Sequence, residues 1–155
     1  MTHRDPFTAP SVTASVTDCA CFNLRKAARA VTQYYDDALR PSGLRITQFS
    51  LLAAIKAFGT VNIGDLADEA VMDRTTLTRN LKLLEQEGLI TVTPGDDARV
   101  REVSLTPAAH EQLGEAHRYW KKAQTHMAEA MGTDGVRRLL RDLSGAVDAA
   151  RAEAG

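Results

Sequence analysis

Residues 73–105, DRTTLTRNLKLLEQEGLITVTPGDDARVREVSL, change periodicity in mid-course, and that change decides the fold. In the first part Leu77, Leu81 and Leu84 recur in steps of four and three, which puts them on one side of a helix over 74–87, with Asp73 as its N-cap and Gly88 as its stop. Thr75, Arg79, Lys82 and Gln86 share the opposite side. After Gly88 the runs LITVT and VREVSL flank Pro94-Gly95-Asp96-Asp97, the pattern of two short strands joined by a polar turn. A helix with one polar stripe followed by a hairpin suits a winged helix-turn-helix, provided a second short helix precedes it.

Working outward, 63–71 carries Leu66, Ala67 and Ala70 and supplies that helix. Before it, a helix starting after Thr47 as N-cap runs through Phe49, Leu51, Leu52, Ile55 and Phe58 to Gly59. From Asp18 to Leu39, Cys21, Leu24, Ala28, Val31, Tyr35 and Leu39 mark another, which Pro41 and Gly43 end. On the C-terminal side Thr106-Pro107 reads as an N-cap with proline at the first helical position. The long helix that follows carries a seam of Leu113, Ala116, Trp120, Ala123, Met127 and Ala130 until Gly132 breaks it. Thr133 is expected to cap a last helix with Val136, Leu139, Leu140, Leu143, Val147 and Ala150 on one face. The expected fold is therefore mainly α with a small β-hairpin wing. One small core would struggle to cover both terminal faces completely, so both ends of the chain are expected to build a dimer interface, the alternative being helices that pack only within the monomer. Residues 1–17 read as a flexible arm and 18–155 as a single domain, with 18–43 and 106–155 as dimerisation helices and 44–105 as a winged-helix lobe.

Composition excludes several classes. With 44% hydrophobic and 25% charged residues in 155, the chain is neither disordered nor fibrous. A formal charge of -1 means that any affinity for nucleic acid must come from local placement. Two cysteines are too few for a disulfide scaffold and point to a reducing cytoplasm. No apolar run has the length of a signal peptide or membrane span, so no membrane partner is expected. His110-Glu111-Gln112-Leu113 begins like a zinc-protease helix, but Gly114 stands where a second histidine is needed. No phosphate loop or nucleophile elbow occurs either, so neither an enzyme nor a metal or cofactor is expected.

The polar stripe has the chemistry that DNA needs. Arg79 can donate bidentately to guanine, Thr75 can meet a base edge, and Lys82 can neutralise phosphate. Arg74, Thr76 and Thr78 lie near the helix N-terminus, where backbone N–H groups favour phosphate. Arg99 and Arg101, just past the hairpin turn, can reach a minor groove or its phosphates. The alternative is an ordinary solvated helix in a protein-interaction module that binds no DNA.

The segment from Asn62 to Ala109 resembles the MarR family of winged-helix transcriptional regulators at Leu66-Ala67, Thr76-Leu77-Thr78, Leu84-Glu85, Gly88-Leu89-Ile90, Asp97-x-Arg99 and Val103-x-Leu105-Thr106. The resemblance implies a homodimer on double-stranded DNA at a pseudo-palindromic operator, usually as a repressor. It departs from the family at Ala98, where many members carry a charged residue.

Two switches suggest themselves. Cys19 and Cys21 lie at a helix start, behind Asp18 or Thr17 as caps, where exposed N–H dipoles favour thiolate and so reactivity. Cys21-Phe22-x-Leu24-x-x-Ala27-x-Arg29, with Tyr35 beyond, resembles the organic hydroperoxide repressors of the family, which implies oxidation of Cys21 and a tyrosine partner at Tyr35. Arg25 and Ile46 stand at or near two further tyrosines of that branch. The other reading of Cys21 is a small buried hydrophobe. The second switch is an effector, an aromatic acid or acyl-CoA thioester as the resemblance implies, held by Arg25, Arg29, His117, Tyr119 and Trp120. Trp120 on its apolar seam also reads as packing, and the arginines as partners of acids such as Asp36.

Overall fold

The computed structural model describes residues 16–153. Its order is α1 (Ala20–Leu39), a 3-10 turn (Arg40–Ser42), α2 (Ile46–Phe58), β1 (Thr60–Asn62), α3 (Ile63–Glu69), α4 (Arg74–Gln86), β2 (Ile90–Pro94), β3 (Arg101–Leu105), α5 (Pro107–Met131) and α6 (Thr133–Ala152). This is the expected helical chain with a winged helix-turn-helix at its centre. Of the expected arm, residues 1–15 lie outside the described residues, whereas Val16 and Thr17 are helical.

The core forms where α2, α3, α4 and the sheet meet. Leu39, Leu52, Ile55, Leu66, Leu77, Leu84 and Val103 are fully buried there. Their burial explains the leucine spacing of 74–87, because the inward leucines of α4, which packs on α3 and β2, all belong to this core. The start of α5 is pinned to the end of α4 by Thr106. Its hydroxyl donates to the Gly88 carbonyl (2.7 Å) and accepts from the Ala109 N–H (3.2 Å), so one side chain caps α5 and fixes the wing's base.

Several expected boundaries move. The first helix begins at Ala20 rather than Asp18, with Cys19 as its N-cap. The second begins at Ile46 with Arg45 as N-cap, one residue ahead of Thr47. Partners distant from that boundary explain the shift: the Asp36 carboxylate accepts from the Ile46 N–H (2.8 Å), and the Gln48 side chain accepts from the Arg45 N–H (3.0 Å). α3 ends at Glu69, with Ala70 as C-cap and Val71 in the left-handed region at φ 50°. Gly132 (φ 75°), not Thr133, is the N-cap of α6. Only the hairpin of the sheet was expected. β1 adds an antiparallel edge, pairing Val61 with Val103, so the strand order is β1-β3-β2.

The terminal helices are covered unequally. On α1 only Tyr35 and Leu39 are buried, and α6 buries none of its 20 residues. Leu24, Val31, Leu139, Leu140, Leu143 and Val147 are exposed. All of these but Val147 border an apolar groove of about 670 Å³ between α1, α5 and α6, in which Tyr35 and Gln124 supply the polar groups besides Asn23.

Candidate nucleic-acid interface

α4 stands on the core through its leucines and turns its other side outward. Arg74, Thr75, Thr76, Thr78, Arg79 and Lys82 are all exposed, while Leu77, Leu81 and Leu84 are buried. Its N-terminus is capped by Asp73, whose carboxylate accepts from the Thr76 N–H (2.9 Å) and from the Thr76 hydroxyl (2.7 Å). The hydroxyl bond first, and the N–H bond after it, hold the Asp73 carboxyl below the usual carboxylate range. Thr76 therefore has its hydroxyl proton committed to the cap and faces outward as an acceptor. Arg74 also differs from the rest of the stripe, because its guanidinium lies over the first turn of α3. A Cβ built on Gly64 would sit 3.1 Å from Arg74 Nη2. Gln48 ties the far end of α4 to α2 by donating to Glu87 (3.1 Å).

The wing presents the second basic group. β2 and β3 pair from Ile90 with Leu105 to Pro94 with Arg101. Its tip closes through the Gly95 N–H to the Val100 carbonyl and the Val100 N–H to the Asp97 carbonyl, each 2.8 Å. The Asp97 side chain accepts from the Arg99 N–H (3.0 Å), so the aspartate two residues earlier shapes the loop that carries Arg99. Arg99 and Arg101 are exposed. Among the described residues the ion pairs are Arg40 with Asp37 and Arg137 with Asp134, which leaves the α4 and wing cations unneutralised by salt bridges. Leu83, 49% exposed on the flank of the stripe, is an addition that the leucine count concealed. Its i+4 relation to Arg79 was the available signal.

The expected sensor residues are not gathered within one chain. Cys19 and Cys21 are both exposed, so Cys21 does not sit in the core of this chain. Cys19 is the extended N-cap of α1 and makes no side-chain cap bond. Neither Thr17 nor Asp18 occupies that position. Tyr35 is buried about four helical turns from Cys21, roughly 20 Å along α1. Its hydroxyl donates to Gln124 Oε1 (2.6 Å), and burial, with Tyr34 adding to it, pushes its ionisation upward.

The expected effector residues also separate. Arg29 lines an open groove of about 780 Å³ with Asp36, Asp37, Arg40 and Arg45, while Arg25 is exposed and does not line it. Asp36 is engaged with the α2 N-terminus and Asp37 with Arg40, rather than with Arg25 or Arg29. Trp120 is half-buried between rings, stacked on Phe49 (5.9 Å between centroids) and on His117 (5.4 Å), as packing requires. Tyr119 packs against the core, with the Lys122 ammonium 5.9 Å from its ring. Among the described residues no His, Cys, Asp or Glu cluster is suited to a metal ion, and no helix is long and apolar enough to cross a membrane.

Comparison with known proteins supplies the remaining context. The MarR family model matches residues 44–100, from the residue after Gly43 to the wing tip. The M. tuberculosis transcriptional regulator MosR, solved in complex with DNA, is 41% identical and superposes with a TM-score of 0.77 over 86% of this chain and 98% of that one. The transcriptional regulator SarZ of Staphylococcus epidermidis is 32% identical over 87 residues, 56% of this chain and 59% of the relative. The organic hydroperoxide resistance transcriptional regulator of Bacillus subtilis is 31% identical over 87 residues, again 56% of this chain and 59% of the relative. The chain thus spans about three fifths of each of those two relatives. Helix order, the outward stripe of α4, the wing and these likenesses agree: the chain belongs to the MarR family and is a DNA-binding transcriptional regulator, not an enzyme.

Proposed function

We propose that the chain acts in the cytoplasm as a homodimeric, sequence-specific repressor whose two α4 helices enter successive major grooves of a pseudo-palindromic operator, released when Cys21 is oxidised. The uncovered face of α1 and α6 carries this reading. An apolar surface of this extent on a small chain calls for a partner, and a self-complementary helical pair is the commonest solution. In this reading Arg79 and Thr75 read bases, Arg74, Thr76, Thr78 and Lys82 meet phosphates, and Arg99 and Arg101 reach beside the minor groove.

The thiol arm draws support from the exposure of Cys21 in the first turn of α1 and from the likeness to the hydroperoxide resistance regulator. The Cys21 thiolate attacks the peroxide oxygen, the O–O bond breaks and the alcohol leaves with a proton. Sulfur is oxidised to the sulfenic acid and the hydroperoxide is reduced. A polar, bulkier group then stands at the start of a helix that forms half of the dimer face.

The test is sedimentation of the reduced protein together with fluorescence anisotropy on duplex from upstream of its own coding sequence, before and after an organic hydroperoxide. A dimer with salt-sensitive binding that oxidation abolishes, and a Cys21→Ser variant that stays bound, is the expected result. A monomer overturns the dimer, and binding indifferent to oxidant overturns the thiol switch. That second outcome favours an anionic effector, for which the groove holding Arg29, Arg40 and Arg45 is the candidate.

A further inference from the structure

The last turn of α6 meets the helix-turn-helix at one point. Arg151 Nη2 donates to the Asp68 carbonyl at 3.0 Å. Among the described residues no other α6 side chain hydrogen-bonds outside its own helix. Asp68 lies at the C-terminal end of α3, where the negative end of the helix dipole favours a cation and a carbonyl has a second lone pair to offer. The same carbonyl accepts from the Val71 N–H (3.2 Å), and the Met72 N–H closes the turn on the Ala67 carbonyl (2.9 Å).

A second, independent feature lies at the same place. Val71 is the one non-glycine residue with positive φ among those described, and a β-branched side chain is costly there. Its side chain borders a small apolar groove of about 300 Å³ with Leu24, Leu143, Val147, Ala150 and Arg151. The turn that leads into α4 is therefore held in an unfavourable conformation with its valine toward α1 and α6, and Arg151 fastens it from that side.

We infer that Arg151 is a positioning residue for DNA recognition: its bond to the α3 C-terminus fixes the α3–α4 turn against α6 and so sets the angle at which α4 is presented relative to the terminal helices. The inference rests on DNA binding by α4, and its effect on spacing rests also on the proposed dimer. A rigid angle selects one separation of half-sites, whereas a loose one tolerates several.

Full-length wild type, Arg151→Ala and Arg151→Lys are compared on a duplex selected by the wild-type protein from a random pool, and on versions with its half-sites moved together or apart in single-base-pair steps. Amide exchange is followed over 68–74. For Arg151→Ala we expect unchanged melting and oligomeric state, about tenfold weaker binding at the best spacing, a flattened spacing preference, and faster exchange in 68–74. Lysine should restore most of the affinity and protection. An Arg151→Ala protein with wild-type spacing preference and wild-type exchange overturns the inference, as does a loss equal at every spacing. A wild type that sediments as a monomer removes the dimer instead, and exchange in 68–74 then decides the role of Arg151 by itself.

Discussion

Arg79 and Lys82 sit three residues apart on the same exposed side of α4, yet they are proposed for different work. The planar fork of Arg79 matches a guanine edge, and the Lys82 ammonium acts as a point charge. Arg79→Ala should cost about 1–3 kcal/mol on the preferred duplex and relax base preference, whereas Lys82→Ala should weaken every duplex alike and lower the salt slope by about one. Anisotropy on matched and mismatched duplexes across a salt series separates the two, and equal losses on all sequences for both would refute the division. Asp73 allows a pH test. Its folded carboxyl titrates below its ordinary value, so its capping is present above the unfolded value and fades as pH falls through the folded one. Asp73→Ala should melt below wild type at neutral pH, and the gap should close in acid. A gap constant with pH would mean that the cap is not the source. At this scale the outward residues of α4 were legible because a helix of known phase fixes which side chains share a side. The commitment of Thr76 to Asp73 and of Asp36 to Ile46 was not, because several acceptors compete for each donor.

Among the elements, α4 owes its position to three leucines, two of them wholly buried. Leu84→Ala should cost about 2–5 kcal/mol by urea unfolding, through lost burial and the void left in the core. The turn before α4 behaves oppositely. Val71 bears a strain of about 1–3 kcal/mol at its positive φ, against about 0.5–1 kcal/mol for the extra freedom of glycine in the unfolded chain. Val71→Gly should therefore stabilise by about 1 kcal/mol, and a destabilised variant would show that its groove contacts outweigh the strain. Helices α4, α5 and α6 were readable from the sequence because long periodic stretches average out local ambiguity. β1 was not, since Thr60–Asn62 is too short to show alternation and exists by pairing with β3, far along the chain. The start of α2 escaped for the same reason: its decisive partner, Asp36, belongs to α1.

At the scale of the whole molecule, the winged lobe buries its core within one chain, whereas the terminal helices leave apolar faces exposed. Leu140, 56% exposed at the middle of α6, tests this division. Leu140→Glu should leave the lobe's melting nearly unchanged, because Leu140 takes no part in the lobe's core, while converting the sedimenting species to monomer and removing tight binding to a two-half-site duplex. A dimeric Leu140→Glu protein with full affinity would place the interface elsewhere. The order of helices and the apolar faces of the terminal ones could be read from amphipathic seams. The proposed sensor pairing could not, because Cys21 and Tyr35 stand towards opposite ends of α1.

α6 buries no residue fully in its own chain, and in the proposed dimer this makes lifetime depend on abundance. A dissociated copy offers proteases a helix with little holding it folded, and cleavage follows the population of such open forms. Turnover per molecule then rises as copies become scarce. Once synthesis stops, the regulator should disappear faster than a simple exponential, which gives a cell a sharp end to regulation without any dedicated degradation signal.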